Sequence, residues 1–286
     1  MKVMIHTTTR LSDAFWRAAA YCLHPRVIAL SLLPLGVAAG LTFVLGWFFW
    51  EAAVDGVRAT LGSWRLIDML LGWLDYIGAA GFRSVMAPLV VLALALPVIV
   101  VLSLLLVALW MTPSLVRMVA ARRFAGLERK CGATLLQSLG WSLWHAVLAL
   151  LALLISLPFW LIPPWALIVP PLIWGWLGYK VFSFDVLAEH ASVAERRRLL
   201  REHKLPLLLL GGITGYLGAA PAAIWAFGVM AVALAPFLVL VSIWLYTLVF
   251  AFSTLWFAHY ALAALQDLRA RQAAQATPII LEQLPV

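Results

Sequence analysis

The side chains best suited to bind an anion or to form ion pairs are concentrated in one stretch, Asp185–Lys204, in which nine of the twenty residues are charged. Blocks without Asp, Glu, Lys or Arg lie on either side of it, the 49 residues of Cys131–Tyr179 and the 62 residues of Leu205–Gln266. Two interpretations stay open. The stretch can be a solvated positive segment that orients the chain, or a basic surface that attracts lipid head groups or a transported anion.

The acidic residues of this stretch point to a further role, the docking of two polar segments. Asp185 and Glu189 are four residues apart, so a helix places them on one face. Arginines of the segment Arg117–Arg129 can bind these carboxylates through charge-assisted hydrogen bonds. We predict such a docking contact, with Arg117, Arg122 and Arg123 as the donors.

A candidate anion site is predicted near the start of the first apolar run. Pro34 removes a backbone N–H group and can kink or break a helix. A helix that restarts after such a break points N–H groups and the positive end of its dipole at one place, which suits an anion. Gly36 and Gly40 are four residues apart, and the alternative is that they form a packing groove for a neighbouring helix.

Several kinds of catalytic and metal chemistry are absent from the sequence. There is no GxxxxGK[ST] phosphate loop, no HExxH and no Gly-x-Ser-x-Gly motif. Cys22 and Cys131 fit no paired-cysteine or zinc spacing. The sequence therefore predicts a chain that is not an enzyme, without catalytic residues, metal site or cofactor.

The elements that must position these residues are apolar helices. Hydrophobic residues make up 65% of the chain and charged residues 11%, whereas a soluble domain has roughly a quarter charged residues. Uncharged runs of about 18 residues or more can span a bilayer. We predict an all-α, polytopic helical membrane protein with about six membrane-embedded helices: two long spans, Val27–Trp50 and Ser84–Met111, and two hairpins, Trp141–Pro158 with Pro164–Tyr179 and Leu205–Ala235 with Phe237–Ala263.

Polar segments connect these helices. The spacing in Arg10–Cys22 predicts a short amphipathic helix on the membrane surface. The segments Glu51–Gly81 and Thr112–Gly140 are expected to form a soluble or interfacial helical segment and a polar helical loop, and Asp185–Lys204 a charged helix. Pro163-Pro164 is expected to form a hairpin turn and Pro170-Pro171 to kink a helix, whereas interrupted helices can instead line a transport site.

Basic residues indicate the orientation. Lys and Arg are enriched in the segment before the first span, in the loop after the second, in the charged stretch and after the last span. With six crossings these segments all fall on one side, which the positive-inside rule makes cytoplasmic. Both termini are therefore predicted to be cytoplasmic, with the lipid bilayer as a partner and without a nucleic-acid partner. His145 and His259 lie inside apolar runs, where an ionisable residue is a functional candidate.

The order of three motifs resembles the CysZ-type sulfate permease family, which belongs to the etoposide-induced membrane protein superfamily. The motifs are His24-Pro25-Arg26 followed by Leu33-Pro34-Leu35, then Thr112-Pro113-Ser114-Leu115 followed by Arg122-Arg123 and Gly126-Leu127-Glu128, and then Phe184-Asp185 followed by Glu195-Arg196. The resemblance in layout covers roughly residues 10–270. It implies a bacterial inner-membrane protein of one domain, residues 1–270, with a flexible polar tail at 271–286.

The resemblance further implies a permease or channel that admits sulfate or a related inorganic anion. Family members bind sulfate near the start of the first helix with backbone N–H groups and arginines. The family's paired arginines fall on Ile28 and Ala29 here, and Arg26 is the nearby base. The implied anion site comprises Pro25, Arg26, Leu33, Pro34 and Gly36. The spans contain few polar side chains, so a pore would form between subunits of a homo-oligomer. The alternative is a non-transporting scaffold whose basic cytoplasmic helices bind lipid or protein.

Overall fold

The computed structural model describes residues 2–64, 69, 80–220 and 234–282. Every element in this part of the chain is helical, which confirms the predicted all-α class. The helices are α1 (Lys2–Cys22), α2 (Pro25–Ser63), α3 (Ala80–Arg123), α4 (Leu135–Ser156), a 3-10 helix at Leu157–Leu161, α5 (Pro163–Ala188), α6 (Val193–Glu202), α7 (Lys204–Ala219) and α8 (Ala235–Glu282).

Four segments of these helices are long and apolar enough to cross a membrane. They are Pro25–Ser63, Leu135–Leu161, Pro164–Ala188 and Phe237–Gln275, and two shorter apolar helices lie at Val85–Leu96 and Lys204–Ala219. Large apolar side chains such as Trp47 and Leu161 are 75% and 86% exposed. A water-soluble monomer does not present so much apolar surface, and the chain is therefore a multi-pass membrane protein.

The chain forms two compact units, one made of residues 1–31 and 109–286 and the other of residues 32–108. In the second unit, Val54 of α2 packs with Ala87 and Val91 of α3. The prediction of a single domain with a flexible tail after residue 270 stays a prediction. The backbone of α8 is helical through Glu282, beyond the predicted end of the last span at Ala263.

The core of the first unit is built around α8. Phe257, Leu262 and Leu265 of α8 are completely buried. The amphipathic helix α1 lies against them, with Phe15 in edge contact with Trp256 at 5.1 Å and the indole N–H of Trp256 bonded to a backbone carbonyl of α1 at 3.1 Å. The apolar face of α1 that the sequence assigned to a membrane surface is thus buried against another helix.

Glycines allow α5 and α7 to pack with their backbones in contact. A Cβ atom at Gly175 would lie 2.6 Å from the carbonyl oxygen of Gly211, and one at Gly211 would lie 2.3 Å from that of Gly175. A Cβ atom at Gly215 would lie 2.3 Å from the carbonyl oxygen of Pro171. Small residues permit such close approach in membrane helices, and here they hold the two helices that flank the charged stretch.

The predicted helical segment after Trp50 begins as part of the same helix as the first span, because α2 continues to Ser63. A change from apolar to polar side chains changes the surroundings of a helix but not its backbone hydrogen bonds. An ion pair between Asp55 and Arg58, 3.0 Å long, lies on this polar extension. The rest of the predicted segment Glu51–Gly81 is almost entirely outside the described residues, as is the part of the predicted span Leu205–Ala235 at positions 221–233.

The charged stretch is not one helix. Its first residues, Asp185–Ala188, are the last turn of α5, and α6 begins only at Val193. Ser192 and Glu195 form a capping box, in which each side chain bonds the backbone N–H group of the other residue. This motif satisfies otherwise unpaired donors at a helix start, so it separates α6 from α5. Similarly, the expected loop Thr112–Gly140 is helical up to Arg123 and from Leu135 onward.

The prolines behave in two ways. Pro163 and Pro164 are the first residues of α5, where a missing N–H group costs nothing, and the 3-10 helix before them completes the predicted hairpin turn. Pro170 and Pro171, by contrast, lie inside α5, and Pro34 lies inside α2. None of these three interrupts its helix, so an interrupted-helix transport site is not present at these positions.

Candidate functional site

The start of α2 places hydrogen-bond donors around one imidazole. His24 lies in the turn between α1 and α2, and Pro25 is the first residue of α2. The backbone nitrogen of Arg26 lies 3.2 Å from Nδ1 of His24, and Nη2 of Arg122 lies 2.9 Å from Nε2 of the same ring. The side chain of Arg26 is exposed.

These two contacts cannot both be hydrogen bonds to a neutral His24. An amide N–H group and a guanidinium group only donate, whereas a neutral imidazole has one N–H group and one lone pair. One of the two donors is therefore left without an acceptor at this ring, and protonation of the ring would exclude both. An anionic oxygen beside Arg26 and Arg122 would supply the acceptor, and the start of a helix favours negative charge.

The other residues of the predicted anion site lie further along α2, in the second unit. Because α2 runs through Pro34 without a break, the expected new helix start at this position is absent, a correction to the sequence analysis. The loss of one backbone hydrogen bond at a proline is tolerated when the turns on both sides remain bonded. Pro34 is buried, whereas Leu33 and Gly36 are exposed. Their part in anion binding stays a prediction.

The predicted docking acid Glu189 receives two arginines. Its carboxylate oxygens lie 3.2 Å from Nε of Arg117 and 3.2 Å from Nη1 of Arg129. Glu189 is the residue directly after α5, and both arginines belong to the polar segment after the second predicted span. This geometry brings the two polar segments together; its contribution to stability or function stays a prediction.

Asp185 differs from the other predicted docking acid, because no arginine binds it among the described residues. Its side chain lies near Ser138 of α4, and its Oδ1 atom is buried without a hydrogen-bond partner in the part of the chain that the structure describes. Asp185 lies in the last turn of α5, whereas Glu189 is the residue directly after that helix, and the two carboxylates therefore have different neighbours.

The directions in which residues point around the axis of α3 explain why Arg122 and Arg123 do not reach the two predicted acids. They point away from Arg117 on α3, by roughly 140° and 120° at 3.6 residues per turn. Arg122 contacts the His24 ring instead, and Nη2 of Arg123 binds Asp13 of α1 at 3.1 Å. Neither of these two donors contacts Asp185 or Glu189 in this structure, and their part in docking stays a prediction.

A buried ionic cluster, centred on Glu195, was not anticipated. The Glu195 carboxylate lies 3.0 Å from Nζ of Lys130 and 3.0 Å from Nε of Arg269, and it also accepts the backbone N–H of Ser192 at 2.8 Å. Burial alone would raise the pKa of Glu195. The hydrogen bonds from Arg269, Ser192 and Lys130 outweigh burial and lower its pKa from 4.5 to about 2.

The ionic cluster holds a non-helical segment, residues 128–134, against the corner between α5 and α6. Backbone N–H groups of Cys131 and Gly132 bond carbonyl oxygens of Glu189 and Ala191 at 3.0 and 3.1 Å. A Cβ atom at Gly132 would lie 2.2 Å from the Ala191 oxygen, so only glycine fits there. Ser-x-x-Glu at 192–195 is a capping-box signature and is the sequence signal that could have marked Glu195.

No group of three or more metal-ligating side chains occurs among the described residues. His145 of α4 bonds the carbonyl oxygen of Trp141 through Nδ1 at 2.8 Å and contacts the Trp141 ring. His259 of α8 is 1% exposed and lies beside Tyr21 and Arg123. The two histidines that the sequence singled out are thus in different surroundings, and only His259 lies among charged groups.

The chain matches a known protein family over most of its length. The family model described as sulfate transporter CysZ/etoposide-induced protein 2.4 matches residues 14–228, three quarters of the chain. That range includes the start of α2, the segment 128–134 and all of α6. No curated protein and no solved structure matches the chain.

Proposed function

The chain belongs to the sulfate transporter CysZ/etoposide-induced protein 2.4 family, and we propose that it carries an inorganic oxyanion, sulfate, into the cell. The family is one of transporters rather than enzymes. The proposal places the chain in the bacterial inner membrane with both termini in the cytoplasm, as the distribution of Lys and Arg predicts.

The observation that supports anion binding is the excess of donors at the start of α2. His24 can accept from either the Arg26 backbone or the Arg122 guanidinium, and the remaining donor is available to another acceptor. A sulfate oxygen fits this position, because arginine binds oxyanions through two parallel hydrogen bonds. The exposed Arg26 side chain adds a second guanidinium at the same helix start.

The polar side chains of the spans support a path between subunits. The hydroxyl groups of Ser31, Ser156, Thr247 and Ser253 each bond a backbone carbonyl oxygen of their own helix. Hydroxyl groups used in this way add little polar lining for an ion. We therefore propose that conduction requires a homo-oligomer, in which the exposed surfaces of neighbouring subunits form the path.

The second candidate function is a membrane scaffold that binds anionic lipid. Arg197 and Arg201 on α6 are exposed, and no ion pair to either is present in the described part of the chain. Each base near an anionic membrane surface contributes about 1 kcal/mol of attraction. Lipid binding at α6 without sulfate flux would favour this second function.

The test of the first function is sulfate uptake into proteoliposomes that contain the purified chain. We expect uptake above that of protein-free liposomes, and a loss of roughly tenfold or more in Arg26→Gln or Arg122→Gln, since a hydrogen bond to a charged group contributes about 1.5–3 kcal/mol. Arg58→Gln is the matched control, because Arg58 pairs with Asp55 on the polar end of α2. Wild-type uptake no faster than that of empty liposomes would refute transport. Full uptake by both arginine variants would place the anion site elsewhere.

A further inference from the structure

Arg122, a member of the proposed anion site, has no carboxylate partner among the described residues. Arg117 and Arg123 of the same helix each pair with an acid, at 3.2 Å and 3.1 Å. Arg122 instead has Nη2 at 2.9 Å from Nε2 of His24, and its Cζ atom lies over the ring of Tyr21, 6.0 Å from the ring centre. Because the Arg122 side chain is otherwise exposed, these two rings are the contacts that orient it.

Tyr21 is itself held on two sides. It lies in the last turn of α1 and is half-buried. Its ring meets the ring of His259 at 77°, with 4.9 Å between the ring centres, and His259 is 1% exposed on α8. The carbonyl oxygen of Tyr21 accepts the backbone N–H of His24 at 3.0 Å. One residue of α1 therefore supports both the guanidinium of Arg122 and the turn that carries His24.

An aromatic partner has a different consequence for Arg122 than an acid would have. A carboxylate would neutralise the guanidinium and occupy its N–H donors. The face of an aromatic ring attracts a guanidinium group through its quadrupole, but it carries no negative charge and takes up no N–H group by a strong hydrogen bond. The ring thus reduces the freedom of a long side chain and leaves the charge and the donors available to a ligand.

We propose that Tyr21 is a positioning residue for anion binding, whose ring face holds the Arg122 guanidinium beside the start of α2. This inference rests on the proposed function, because it takes the start of α2 as the anion site. It adds a residue of α1 to a site that the sequence analysis built from the first span alone.

The test compares dissociation constants for sulfate, measured by equilibrium dialysis of the purified full-length protein with radiolabelled sulfate. Tyr21→Leu removes the ring face, and we expect sulfate to bind roughly two- to fivefold more weakly, the effect of one cation–π contact at an exposed site. Tyr21→Phe keeps the ring and should restore the affinity. Trp16→Leu is the matched control, because Trp16 is an exposed aromatic residue of the same helix whose ring contacts Phe15 at 5.4 Å. It should bind sulfate as the wild type does.

The same substitution in an Arg122→Gln protein separates positioning from a general structural effect. If Tyr21 acts through Arg122, Tyr21→Leu should weaken sulfate binding no further in the Arg122→Gln background. An equal loss in both backgrounds, or wild-type affinity of a folded Tyr21→Leu protein, would overturn the inference. Tyr21→Met fills similar space and can still contact the His259 ring through its sulfur, so it replaces Tyr21→Leu if that variant does not fold.

The outcomes for the proposed function are distinct from these. Sulfate binding by the wild type without uptake into proteoliposomes would refute transport, and the comparison of Tyr21 variants would still decide the positioning role. Wild-type affinity of Arg122→Gln, or no sulfate binding by the wild type, would refute the proposed site and this inference together.

Discussion

Glu195 carries a carboxylate that is 5% exposed, and its environment keeps it charged. A buried charge is tolerated when it is paired and hydrogen-bonded. Here Lys130, Arg269 and the Ser192 backbone provide the partners. Arg269 also donates to the carbonyl oxygens of Glu128 and His190, at 2.8 and 2.7 Å. One side chain of α8 therefore connects three polar segments of the first unit.

We expect Glu195→Gln to lower the free energy of unfolding by about 3–5 kcal/mol, because it leaves the buried charge of Arg269 without its partner. The measurement is unfolding in detergent at neutral pH. Glu202→Gln is the control on the same helix, since Glu202 forms an exposed ion pair with Arg198 and such pairs contribute less than about 1 kcal/mol. Equal effects of the two substitutions would show that the cluster is not stabilising.

The pH dependence of stability gives a second readout of the same contact. The pKa of Glu195 is lowered from 4.5 to about 2 in the folded chain. A carboxylate with a lowered pKa stabilises the fold above its unfolded pKa, and that stabilisation is lost as the pH falls from about 4.5 through 2. The loss is on the order of 3 kcal/mol. We expect Glu195→Gln to show a correspondingly smaller decline in stability over this range.

At the scale of elements, the crossing of α5 and α7 positions the charged stretch. These helices flank it on either side, and their backbones touch at Gly175, Gly211 and Gly215. A rigid crossing at this point fixes the positions in space of the end of α5 and the start of α7. The position of α6 and of the segment packed against it follows from that geometry.

Gly211→Ala is expected to destabilise the fold by roughly 1–3 kcal/mol or more, the cost of overpacking a close contact. Its new Cβ atom would lie 2.3 Å from the Gly175 carbonyl oxygen, a backbone atom that cannot move alone. Gly212→Ala is the matched control, because nothing lies within 4 Å of a Cβ at that position. It should leave stability unchanged or slightly improved. Thermal melting of the two variants in detergent distinguishes them, and identical curves would contradict the close packing.

At the scale of the whole molecule, the proposed orientation places the segment 128–134 in the cytoplasm and the end of α2 outside. Both positions can be tested with cysteines. Cys131 is native and exposed, whereas Ser63 is exposed at the end of α2. Because bases are retained on the cytoplasmic side, the two positions should differ in their access from the external medium.

A membrane-impermeant maleimide added to intact cells should not label Cys131 until the inner membrane is permeabilised. Ser63→Cys in a Cys131→Ser background should be labelled at once. Labelling is measured by the mass shift of the purified chain, with permeabilised cells as the control for accessibility. Rapid labelling of Cys131 in intact cells would reverse the proposed orientation.

The all-helical membrane class and the family resemblance could be read from the amino-acid sequence alone. Long apolar runs such as Cys131–Tyr179 and Leu205–Gln266 are local properties of the chain. The thickness of the bilayer core sets the number of apolar residues that a membrane-spanning helix needs, and these runs contain enough of them. The turn at Pro163-Pro164 was also local, since a proline pair constrains its own backbone. The contact of Glu189 with arginines of the 117–129 segment was partly predictable, because few acids were available to those bases.

The pairing of the charged side chains, by contrast, depends on how the helices pack. Arg122 and Arg123 point away from Glu189 because of their rotation about α3, and Glu195 is joined to Arg269, 74 residues later in the sequence, by the packing of α6 on α8. Likewise, Pro34 does not break α2, since the neighbouring turns maintain the helix. Ion pairing across helices depends on the direction and depth of each side chain. Those quantities are set by helix packing, which residue types and spacing along one chain do not specify.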